Sequence, residues 1–210
     1  MAVVSASYGE LCKLLRDAGH IRAISSLINW DQETYMPASG ADGRAEQASI
    51  IATILHERST HPRVGELLSL CESDDTLMKP GSATAADIRE ARHDYDRATK
   101  LPGDLVAEIA KTASQSQEIW KVAREKNDFA SFSPWLEKMF GLMRRKAECY
   151  GIPPGGEAYD QLVDDYEPGA TAASLEAVFT PLRASLTELL KRVADEGRAP
   201  SEKPLKVSID

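Results

Sequence analysis

The sequence predicts an all-α fold, a multi-helix array of amphipathic helices, and two observations carry that expectation. Apolar residues recur at three- and four-residue intervals along almost the whole chain, which is the helical period. Strand-like alternation is essentially absent, and the VSID at the end is too short to count.

The helices follow in order. Tyr8, Leu11, Leu15, Ile21, Ile24, Leu27 and Ile28 trace a first long helix. Trp30 to Gly43, rich in Pro, Gly and polar groups, reads as an irregular connection. A second helix is expected from about Arg44 to Arg58, with Ala48, Ile51, Ile54 and Leu55 on one side. His61-Pro62 breaks the chain, because the residue before proline avoids the α conformation. A short helix then carries Val64, Leu67, Leu68 and Leu70. Ser73 to Thr84 reads as a loop with its turn at Pro80-Gly81, and Ala85 to Lys100 returns to helix. Pro102 suits the start of the next helix, where its missing N–H costs nothing; Leu105, Ile109, Ile119 and Trp120 mark that helix. Phe132 to Cys149 form another. GIPPGG, Gly151 to Gly156, is the clearest sub-boundary within a helical region expected over 1–196. Thr171 is a good N-cap for a last helix through Leu190, which Pro181 should kink or restart. Residues 197–210 form a polar tail.

Composition narrows the function. The 210 residues can bury a sizeable core without staples. The formal charge of −8 argues against nucleic acid as a partner, since that affinity rests on Lys and Arg neutralising phosphates. It also argues against a polybasic membrane patch, and no apolar run approaches the roughly 18 residues of a membrane span. Cys12, Cys71 and Cys149 are odd in number and far apart, without a CxxC, so a disulfide framework is not expected and a reducing cytoplasm is. No signal peptide is recognisable.

Few residues suggest chemistry. His56-Glu57-Arg58-Ser59-Thr60-His61 looks like HExxH with one residue too many. Ligands four apart share one helix face, whereas five apart they diverge by about 140°. Two histidines at a helix end are the better reading. Asp31 and Glu33 could serve as a general acid–base pair, although acidic residues in a connection more often cap helices or pair with arginines. Asp160, Asp164, Asp165 and Glu167 offer hard-cation oxygens, but their spacing matches no EF-hand loop and capping is expected instead. A divergent metal site from His56, Asp164 and Asp165 is the weakest candidate. Arg144, Arg145 and Lys146 could hold a carboxylate but read as solvated charge, and Trp30, Trp120 and Trp135 read as core. There is no GxSxG and no phosphate-binding glycine loop.

Several motifs nevertheless converge on one family. Trp30-Asp31-Gln32-Glu33-Thr34-Tyr35-Met36-Pro37, the string WDQETYMP, closely resembles a signature of the carboxypeptidase Taq-type (thermostable carboxypeptidase) zinc metallocarboxypeptidases. Arg44-Ala45-Glu46-Gln47, His61-Pro62-Arg63-Val64-Gly65-Glu66, Tyr95-Asp96-Arg97-Ala98-Thr99-Lys100-Leu101-Pro102 and Asp164-Asp165-Tyr166-Glu167-Pro168-Gly169 extend the likeness over roughly residues 8 to 195. The resemblance implies an all-α peptidase that removes C-terminal residues with zinc or another divalent metal held by HExxH and a downstream Glu, usually as a homodimer. Only the N-terminal part of such an enzyme, less than half, is matched. HExxH belongs to the unmatched part, so no residue of this chain is assigned a catalytic or metal-binding role, and no cofactor is expected to bind it alone. A peptide substrate is expected only where the metal-bearing remainder is present. The other expectation is a free-standing helical module or pseudoenzyme that binds peptides or a partner chain. The polar ending PSEKPLKVSID follows a helix that would lead onward, as in a truncated sequence.

Overall fold

The computed structural model describes residues 6–197. Among them are eight α-helices and one 3-10 turn, and no strand: α1 (Ala6–Thr34), a turn at Ala38–Gly40, α2 (Ala41–Ser59), α3 (Pro62–Glu72), α4 (Ala83–Ala98), α5 (Gly103–Glu125), α6 (Phe129–Tyr150), α7 (Ala158–Val163) and α8 (Ala172–Glu196). The chain divides into two compact units, one through Gly151 and one from Ile152. The polar tail expected at 197–210 lies outside the described residues except for Gly197.

In the first unit, α3 is the hub of the apolar core. Val64, Leu67, Leu68 and Cys71 are buried together with Leu11 of α1, Leu77 of the loop before α4, and Ile88 of α4. Two sequence features start α3 where it starts. Pro62 occupies its first turn, and the Nδ1 of His61 accepts a hydrogen bond from the Arg63 N–H at 3.1 Å. Gly65 lets α4 come close: a Cβ there would lie 2.6 Å from the Tyr95 hydroxyl oxygen. The Tyr8 hydroxyl donates to Asp87 Oδ2 at 3.0 Å, joining α1 to α4. Burial, with hydrogen bonding to Cys12 and Asp87, pushes the Tyr8 hydroxyl up to about 12. Arg63 pairs with Glu10 in solvent, where the pair contributes little, and Arg92 pairs with Glu72 at a half-buried site.

A second layer is built on small residues. Helix α2 packs along α5 and α1, and Ala45 is fully buried in that contact layer. Helix α5 also packs on α6. Asn127 takes φ of +52°, a left-handed value that Asn tolerates, and closes α5 before the Asp128 carboxylate caps α6 through the Ser131 N–H. Gly151, at φ +85°, ends α6.

The second unit holds α7 and α8. Thr171 caps α8 as the sequence predicts, its Oγ1 accepting from the Ser174 N–H at 3.1 Å. Asp160 is buried and joins the two helix starts. Its Oδ2 accepts from the Glu157 N–H at 3.0 Å and its Oδ1 from the Ala172 N–H at 2.7 Å. Those two backbone bonds, Ala172 first, hold its carboxyl below the usual range.

Several expectations are corrected. Trp30–Thr34 is not part of an irregular connection: α1 continues to Thr34, because nothing opposes the helix until Pro37 restricts the residue before it. Leu70 is exposed, and Cys71 takes the inner position on α3. Trp30 and Trp120 are exposed and Trp135 is half-buried, so none is a core residue. Pro134 lies inside α6, near its start, and α8 does not restart at Pro181 but continues through it.

Candidate functional site

The WDQETYMP segment is the last turn of α1 and its exit, and its residues split into two sets. Trp30 and Tyr35 face solvent, 53% and 75% exposed, with ring centroids 5.3 Å apart and planes tilted by 59°. Asp31 and Gln32 face the protein.

Gln32 is the centre of a polar clasp between α1 and α5. It is 3% exposed. Its Nε2 donates to the Ser114 carbonyl and to Glu118 Oε1, both at 3.0 Å, and its Oε1 accepts from Ser114 Oγ at 2.9 Å. The Gln32 carbonyl, left open at the helix end, accepts from Lys121 Nζ at 3.1 Å. Lys121 also pairs with Glu118 at 2.8 Å. Burial alone would raise Glu118, but the hydrogen bonds from Lys121 and Gln32 and the Lys121 charge outweigh it and hold the carboxyl below its usual range. Every polar atom of the Gln32 side chain is therefore engaged, which a buried amide requires.

Asp31 engages the other neighbour. Its Oδ2 pairs with Arg44 Nη2 at 2.5 Å, while Arg44 Nη1 donates to the Ile28 carbonyl and Nε to Gln47 Oε1. Arg44 is thus a staple from the start of α2 onto the end of α1. Glu33 points to solvent. Two positions apart on a helix, Asp31 and Glu33 lie about 200° round and are not brought together as an acid–base pair. Thr34 Oγ1 returns to the Trp30 carbonyl at 2.7 Å, and the N–H groups of Tyr35 and Met36 both reach the Asp31 carbonyl. Beside the clasp, α1, α2 and α5 enclose an open groove of about 380 Å³. Ala48, Ala52 and Ala113 line it along with Arg22, Asn29 and Gln117.

The acidic motif of the second unit is a turn. Asp164 Oδ1 accepts from the Gly169 N–H at 2.9 Å. Tyr166 and Glu167 both return their N–H groups to the Val163 carbonyl. Asp165, Tyr166 and Glu167 are exposed, Tyr166 by 89%. The two histidines of the HExxH-like string serve different helices: His56 lies in the last turn of α2, and His61 caps α3. Arg145 meets Glu108 across α5 and α6 at 3.2 Å. Among the described residues, no three His, Cys, Asp or Glu side chains gather so as to hold a metal ion. The donors among the described residues therefore do not form a catalytic zinc site.

Sequence reasoning missed Ser114, Glu118 and Lys121. Their spacing of four and three puts them on one helix face, but only their contact with Gln32, 82 to 89 positions away, gives that face a meaning.

Comparison with known proteins agrees with this architecture. Residues 10–209 match the family described as Carboxypeptidase Taq (M32) metallopeptidase. The chain is 36% identical over 202 residues to thermostable carboxypeptidase 1 of Thermus thermophilus, covering 93% of this chain and 40% of that relative. It is 30% identical over 192 residues to carboxypeptidase 1 of Bacillus subtilis, covering 91% and 37%. The BsuCP crystal structure superposes with a TM-score of 0.81 at 27% identity, over 90% of this chain and 37% of that one. The Pyrococcus furiosus carboxypeptidase structure gives 0.76 at 27% identity, over 95% and 39%. The chain spans about two-fifths of the length of these relatives, and it belongs to the carboxypeptidase Taq (M32) metallopeptidase family.

Proposed function

We propose that this sequence is the N-terminal helical portion of a metal-dependent carboxypeptidase, which removes amino acids from the C-terminal ends of peptides when a metal-bearing remainder is present. The observation that carries the proposal is the family match over residues 10–209. The chain also contains no HExxH. In such an enzyme the metal activates water and polarises the scissile carbonyl, and its ligands would come from the remainder. This chain supplies a rigid wall. Gln32 and Arg44 fasten the end of α1 to α5 and α2, so the Trp30–Tyr35 pair and the groove edge keep one orientation. The complete enzyme is expected to be a homodimer and to work in a reducing compartment, given three free cysteines.

The test is the intact mass of the native gene product, with zinc assayed on the same sample. A mass well above 23.0 kDa with stoichiometric metal, and release of C-terminal residues from a blocked peptide, is the expected result. A metal-free product of 23.0 kDa would sink the proposal and leave a helical binding module in its place.

A further inference from the structure

Helix α8 carries a long apolar face, and within its own unit only the six-residue α7 lies beside it. Leu175, Val178, Leu182, Leu186, Leu189 and Val193 fall within a stripe about 80° wide, which Phe179 and Leu190 widen to about 120°, and no charged side chain interrupts it between 175 and 193. From Val178 to Val193 its large apolar residues are 46 to 68% exposed, and α8 buries none of its residues. A stripe of this length is a face built to be covered.

Its width says something about the cover. Leu175, Phe179, Leu182, Leu186, Leu189 and Val193 alternate four and three apart, as the seam of a two-helix coil would. The stripe is broader than such a seam. Val178 and Leu190 flank it, at positions where a two-helix coil normally carries charges. Pairing with one other α8 would leave those two side chains wet. A face that wide suits a body made of several helices. The family match runs across α8, and this chain covers only 35 to 40% of the relatives it matches, so some three-fifths of a family polypeptide is available as that body.

We infer that the α8 stripe is the docking face for the remaining three-fifths of a family polypeptide, and that it captures that remainder even when the two are separate chains. This rests on the proposed function only for the identity of the partner, not for its activity.

The test co-expresses the full 210-residue chain with the segment of Thermus thermophilus thermostable carboxypeptidase 1 that lies outside the matched two-fifths. A soluble one-to-one complex is expected on gel filtration. Leu182→Asp/Leu186→Asp/Leu189→Asp should weaken capture at least 100-fold, and Leu186→Arg alone about tenfold should the triple variant lose α8 helicity by circular dichroism. Thr180→Asp/Ala184→Asp/Thr187→Asp, with charges placed away from the stripe, should capture normally. The inference is overturned if the segment is soluble but does not bind, or stays insoluble with the chain present. It is also overturned if the stripe variants bind as the parent does, or if the chain alone forms a dimer that the stripe variants abolish. A complex that forms through the stripe but hydrolyses no peptide with zinc supplied leaves the docking face standing and rejects the proposed function.

Discussion

Helices α3 and α8 carry equally clear apolar stripes, and the molecule treats them oppositely. On α3, Val64, Leu67, Leu68 and Cys71 are buried by α1, α4 and the loop before α4. On α8 no residue is buried at all. The difference teaches that amphipathicity states that a face is to be covered, but not what covers it. Helix α3 finds its partners inside its own unit; α8 has only α7 beside it there, a helix of six residues.

The sharpest way to break this comparison is to truncate one leucine on each helix. Leu67 is 0% exposed, and Leu67→Ala should cost about 2–5 kcal/mol in urea denaturation of the 210-residue chain. Leu186 is 47% exposed, and Leu186→Ala should cost no more than about 0.5 kcal/mol in the same chain. Equal losses would mean that α8 is packed after all. The polar clasp comes next. Gln32→Ala leaves the Ser114 hydroxyl and Glu118 without their amide partner and should cost about 1–3 kcal/mol by the same measurement. A neutral result would show that the clasp is not holding α1 to α5.

The clasp also predicts a pH signature. Because Glu118 is held below its ordinary value in the folded state, the unfolded chain takes up that proton first as pH falls. The stability it contributes is therefore present above the ordinary glutamate range and is lost as pH falls through Glu118's own lower value. Denaturation midpoints of wild type and Glu118→Gln should differ at neutral pH and converge in acid; parallel curves would reject the linkage. The smallest effect has the opposite sign. Thr112 is fully buried on α5 and its hydroxyl has no hydrogen-bond partner. Thr112→Val keeps the shape, removes that group, and should raise stability by about 1 kcal/mol. A loss of stability would mean that the hydroxyl is satisfied in solution.

Much of the helix plan was legible because its signals are local. Pro62, Thr171, the Pro80-Gly81 turn and Gly151 act on their own backbone and neighbours, so reading them needs no knowledge of the fold. The end of α1 was misread for the same reason. Trp30 to Thr34 lacks an apolar period; nothing opposes the helix before Pro37, and its buried side, at Gln32, meets α5 some 82 positions away. The tryptophans were misread because size and apolarity favour burial only where a partner surface exists, and Trp30, with its ring against Tyr35, stays 53% exposed.

What the sequence determined by itself is the helical period, the helix boundaries marked by Pro62, Gly151 and Thr171, and the family, since all three reside in the order of residues along the chain. Only the tertiary structure decided which side of each helix lies inward. It turned Gln32 from one polar letter of a motif into a buried post tied to Ser114, Glu118 and Lys121, and it separated Asp31 from Glu33. It also left the α8 stripe open while closing the one on α3. The physical reason is that burial and buried hydrogen bonds are properties of pairs of distant surfaces, whereas propensity and capping are properties of neighbours.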